Sequence, residues 1–234
     1  MGRLSHLLLW KLNLRAVIAT VGILVLVAGA GTFVYASSTS NFQQTINAGT
    51  LAVDIVDGSY VTVASPSVVM STATFSFACQ TITGTFGSAT QNIYVSNPDA
   101  ADNGWTASLA ASATTAIWDS VGTDYDFNDN GTSGCADSAV DTDALGGQMT
   151  VDPSVGTLAT GQCNSCVTTN ITKGSSTAFL EGTTNSITVL TAAALSNDIG
   201  DWKLTGVSVS QKIPEEQPAA SDYDINMVLS IVAS

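Results

Sequence analysis

The chain has 234 residues, with 19 acidic residues against six Lys and Arg, and a single histidine, His6. Beyond Ala36 it carries three cations (Lys173, Lys203 and Lys212) against all 19 acids, a net charge of −16 that repels phosphate backbones and argues against nucleic acid as a partner. No histidine follows residue 6, so neither a His-based nucleophile relay nor a His-ligated zinc can be built there, and no carboxylate pair stands out by spacing; the chain reads as a non-enzyme.

Arg3, Lys11 and Arg15 precede Ala16 to Ala36, a run without charge that ends in Val34-Tyr35-Ala36. That is the layout of a secretory signal helix over residues 1–36, cut between Ala36 and Ser37. The run is also long enough to span a bilayer, so membrane attachment would come only through an uncleaved signal. A polar segment, residues 37–49, follows, with Phe42 and Ile46 as its large apolar side chains.

The wording around this junction is distinctive. Gly31-Thr32-Phe33-Val34-Tyr35-Ala36 leads into Ser37-Ser38-Thr39-Ser40-Asn41-Phe42 and then Ile46-Asn47-Ala48-Gly49-Thr50-Leu51. Over residues 20–55 it resembles the start of the TasA/camelysin family. The resemblance implies an exported β-sandwich, secreted or held at the cell surface and processed by a dedicated signal peptidase. It also implies self-assembly into a homopolymeric fibre, in which the new N-terminal segment completes a neighbour's sheet. Here the donor strand would be residues 37–49, anchored by Phe42 and Ile46. The HExxH zinc motif is absent, so the protease activity attached to the camelysin name is not carried over.

From residue 50 to 234 the apolar pattern has period two. Leu51, Val53 and Ile55 alternate with polar or small residues, as do Phe75 and Phe77; Trp105, Ala107 and Leu109; Ile187 and Val189; Trp202 and Leu204; and Val207 and Val209. The last run places Tyr223, Ile225, Met227, Leu229 and Ile231 on one face. Half-buried antiparallel strands follow, and with them an all-β fold: a two-sheet antiparallel β-sandwich of jelly-roll or Ig-like type. Trp105 and Trp202 fall on strand faces and read as core, while Trp118 is the candidate exposed aromatic.

Between residues 120 and 172 the alternation collapses into Gly, Asp, Asn, Ser and Thr, which reads as a long insertion needing its own ordering device. Asp126 to Asp137 fits a twelve-residue calcium loop, with Asp126, Asn128, Asn130, Thr132 and Asp137 at ligand positions and Gly131 at the turn. Asp124, Asp141 and Asp143 are spare ligands nearby. The cofactor expected is therefore a structural calcium. The contrary reading is a solvated acidic loop.

Four cysteines, Cys79, Cys135, Cys163 and Cys166, suit structural disulfides in an exported chain. Three pairings are open, and the preferred one joins Cys135 to a member of the Cys163–Cys166 pair across the insertion. The function these features favour is a structural subunit of an extracellular filament. The alternative is a monomeric or membrane-anchored, calcium-dependent surface adhesin or glycan-binding module, with recognition carried by the insertion.

Overall fold

The computed structural model describes residues 43–98, 103–194 and 199–234. The expected signal helix, the expected cleavage point at Ala36/Ser37 and Phe42 lie outside the described residues. The chain divides into two units, Met1–Ile46 and Asn47–Ser234. In the first, the described residues 43–46 are exposed and have no regular structure.

The second unit is all-β, consistent with a β-sandwich, but it has three antiparallel sheets instead of the expected two. The first sheet runs β1 (Ala52–Val56), β3 (Asn92–Asn97), β10 (Gly200–Thr205), β6 (Thr157–Thr160). The second runs β2 (Gln80–Phe86), β11 (Val207–Ile213), β5 (Met149–Asp152), β8 (Thr177–Ala178). The third runs β12 (Met227–Ala233), β4 (Trp105–Ala111), β9 (Ser186–Ala192), β7 (Ile171–Lys173).

The first two sheets are joined by bends in consecutive strands. β10 and β11 are separated by Gly206 alone, at φ +75° with open space where a Cβ would sit, so the demand there is conformational and not steric. Its N–H donates to the Gly87 carbonyl at 2.8 Å, where the same chain turns from β2 toward β3. β5 and β6 make the same crossing on the other side, through a short 3-10 turn at Pro153–Val155. Strands that switch sheets at a bend are how a sheet turns a corner.

One apolar core joins all three sheets. Trp105 of β4 and Trp202 of β10 are fully buried with ring centroids 5.6 Å apart, which locks the third sheet to the first. Trp202 Nε1 donates to the Val167 carbonyl at 2.9 Å, satisfying its one donor. The alternation read from the sequence reappears in β4, β9, β10 and β11, whose inward residues are buried.

Three expectations are corrected. Phe75 and Phe77 do not enter a strand; they are largely exposed and pack edge-to-face on each other. Trp118 is buried and stacks on Tyr125 at 5.8 Å, so it is not an exposed aromatic. The stretch 120–172 is not one loop outside the sheets: it contributes β5, β6 and the start of β7, and its Tyr125, Phe127, Met149 and Val151 are core residues. Two or three apolar residues per segment sufficed, because each segment is short and is held by backbone pairing: β5 to β11 and β8, β6 to β10 and β7 to β9.

Candidate functional site

Two features stand out: an acidic cluster and an open apolar groove. The cluster is built on residues 126–129, which run beside residues 146–149. Asp126 N donates to the Gly146 carbonyl at 2.9 Å, and Asp129 N to the Gly147 carbonyl at 2.9 Å. The approach is close enough that only glycine fits at 147: a Cβ there would stand 2.1 Å from the Asp126 carbonyl oxygen, and φ is +136°. Buried Gln211 of β11 holds the same carbonyl through Nε2 at 2.9 Å. Phe127 points the other way and packs on Phe179 at 5.1 Å.

The result is a carboxylate forced out of water. Asp126, Asn128 and Asp129 are all buried. Carboxylate oxygens of Asp126, Asp141 and Asp143 lie within 4.8 Å of one another. Burial pushes the Asp126 carboxyl up to about 7; N–H donation from Phe127 and Asn128 opposes this, and Asp129 and Asp143 add to the rise. Burial raises Asp143 too, with Asp141 beside it. Glu181, in the β8–β9 connection, is raised by burial first and then by Asp141, Asp129, Asp143 and Asp137. Its backbone N–H donates to the Asn128 carbonyl at 2.9 Å, which brings a third segment to the same place.

The twelve-residue loop itself is only partly assembled. Asp126 and Asn128 meet, but Asn130 and Thr132 are exposed. Thr132 and Ser133 take positive φ of 43° and 63° in a four-residue turn, Gly131–Gly134. Asp137 Oδ1 is engaged by the Ala139 N–H at 2.6 Å. The carboxylate oxygens close to those of Asp126 come instead from Asp141 and Asp143, while Asp129 acts on Asp126 electrostatically and Glu181 joins through its N–H to the Asn128 carbonyl. Asp129 and Glu181 were missed in sequence, since Asp129 falls at an off-ligand position of the loop and Glu181 is distant along the chain. Carboxylate and amide oxygens of this kind are hard ligands able to hold calcium, magnesium or manganese.

The cysteines form two disulfides, Cys79–Cys135 and Cys163–Cys166, with Cα separations of 5.9 and 5.5 Å. The expected link from Cys135 to the Cys163–Cys166 pair is therefore wrong. Those two close on each other because a short turn already sets them at bonding range. Asp201 fixes that turn, accepting from Cys163 N at 2.8 Å, Gln162 N at 2.6 Å and Tyr94 Oη at 2.6 Å. Cys163, Cys166 and Asp201 are also close enough to share an ion. With the sulfurs bonded to each other and Asp201 so fully engaged, they offer no free donor set.

The groove is bordered by β1 of the first sheet, β2, β5 and β11 of the second, and β4 and β12 of the third. It has a volume of about 500 Å³ and is lined by Ile55, Met70, Phe86, Trp118, Met227 and Leu229, among others. A second cavity of about 500 Å³ shares Val68, Met70, Trp118 and Tyr223 with it. Tyr223, Ile225, Met227, Leu229 and Ile231 do share one face, as the alternation predicts, yet each is only half-buried. Trp118 Nε1 is buried there without an acceptor. Ile46 is 85% exposed.

No family model matches this chain, and neither a curated protein nor a solved structure does.

Proposed function

We propose that the protein is a structural subunit of an extracellular filament, in which residues 37–49 of one copy fill the groove of the next. The observation that carries this reading is the half-covered apolar face of Tyr223 to Ile231, beside a groove of about 500 Å³ that opens into the core. Contiguous exposed apolar surface of this kind marks a place where another chain binds. β12 is an edge strand, hydrogen-bonded only to β4, and an added strand would lie between it and β1, which lines the same groove. The unsatisfied Trp118 N–H needs an acceptor, which the carbonyls of a strand supply.

The donor suits the site. Residues 43–49 are exposed and lack regular structure, and Phe42 and Ile46 would be its apolar anchors. A segment this polar has little reason to fold alone and orders on joining a partner. The resemblance at residues 20–55 to the TasA/camelysin family supports the same reading, with signal-peptidase cleavage at Ala36/Ser37 freeing the segment. Two disulfides suit an oxidising, external compartment.

Electron microscopy of the protein beginning at Ser37 tests this directly, beside a version lacking residues 37–44. Filaments from the first and none from the second support the proposal. Filaments of normal length from the truncated chain overturn the donor role. Monodisperse monomers from both overturn the filament and favour a surface-binding module.

A further inference from the structure

We infer that Asp126, Asp129, Asp141 and Asp143, with Asn128 and Glu181, form a site for a hard divalent cation, calcium ahead of magnesium, which ties three separate segments of the chain together. This site differs from the linear twelve-residue loop and does not depend on the filament reading.

The first ground is geometric. Carboxylate oxygens of Asp126, Asp141 and Asp143 converge within 4.8 Å. The second is an orphaned acceptor. Asp129 is fully buried; its Oδ1 accepts from the backbone N–H and hydroxyl of Ser138, while its Oδ2 has no partner. Glu181 Oε2 is likewise buried and unpartnered. A buried carboxylate oxygen without a partner carries its full desolvation penalty, so such groups are normally paired or bound to metal. The Glu181 N–H donates to the Asn128 carbonyl at 2.9 Å, so the two orphaned oxygens stand on segments that meet at residues 126–129, among carboxylates that repel one another. A divalent cation at the centre turns that mutual repulsion into attraction.

Asn128 stands against this group: its side-chain amide lies 2.8 and 2.9 Å from the two Asp126 oxygens, and its nitrogen can donate to them. The donor set contains no imidazole, and all four cysteines are in disulfides, so zinc and copper are poorly served. Ligands drawn from residues 126–129, 141–143 and 181 suit the variable coordination of calcium better than the strict octahedron of magnesium.

The test uses the chain beginning at Ser37, stripped with a chelator and titrated with calcium chloride or magnesium chloride. Thermal melting and calorimetry supply the readouts. The variants are Asp141→Asn with Asp143→Asn, and Asn130→Ala with Thr132→Ala. Asp141 is half-buried and Asp143, Asn130 and Thr132 are exposed, so both pairs are compatible with folding. Saturating calcium is expected to raise Tm by about 5 °C, as ligand linkage gives for a chain of this size. The Asp141/Asp143 pair loses that shift and weakens binding by at least about tenfold, while the Asn130/Thr132 pair keeps both. No response of the unaltered chain to calcium overturns the site. Retention in the first pair with loss in the second overturns it in favour of the linear loop. An equal response to magnesium overturns the preference for calcium.

Discussion

β11 and β12 are both seven-residue strands with alternating apolar residues, yet they end in different places. β11 lies between β2 and β5, and Val207, Val209, Gln211 and Ile213 are all buried. β12 has one neighbour, β4, and Met227, Leu229 and Ile231 stay half-open beside the groove. Period-two patterning says which face of a strand is apolar. It does not say whether this same chain supplies the cover. In β11 the chain covers its own face; in β12 the proposed cover is a second copy.

Substitutions can break that comparison. The largest effect belongs to Val209→Asp, which places a charge among packed strands with no partner. It should cost roughly 4 kcal/mol or more and abolish cooperative folding, as read by urea denaturation. Next comes Cys79→Ser with Cys135→Ser. Opening a link of sequence separation 56 should cost about 4 kcal/mol by loop entropy, against about 2 for opening Cys163–Cys166. Equal losses for the two would show that loop length is not the governing term. Gly206→Ala strains only the corner between the first two sheets and should cost about 1 kcal/mol in the same assay. The smallest stability loss, under about 1 kcal/mol, is expected for Leu229→Ser, since that side chain is only partly buried beside the groove. Yet under the filament proposal, Leu229→Ser prevents polymerisation seen by light scattering. If Leu229→Ser polymerises normally, the groove is not the docking site. A loss near that of Val209→Asp would erase the contrast between the two strands.

Much of the fold was legible because it is local. Trp105, Ala107 and Leu109 announce β4, and Trp202, Leu204, Val207 and Val209 announce β10 and β11 on either side of Gly206. What failed was non-local. Phe75 and Phe77 alternate as well as any strand, but no neighbouring strand pairs with them. β5 and β6 hide in a polar stretch, because pairing with β11 and β10 supplies their order instead of their own apolar content. The acidic site was half-legible. Asp126 and Asn128 came from a twelve-residue template, whereas Asp129 and Glu181 gain their meaning only when residues 126–129, 141–143 and 181 meet. The disulfide pairing was out of reach, since no local pattern says that Cys79 and Cys135 come together.

The Cys79–Cys135 bond has a mechanical consequence. It encloses β2, β3 and β4 in a covalent loop. A pull applied between the chain's ends would run through the two sulfurs and bypass the residues between them. Fully extended, a separation of 56 residues would yield about 190 Å of slack. While the bond holds, that slack is withheld, and the chain under tension lengthens by that much less before it gives way. Reduction would release it in one step.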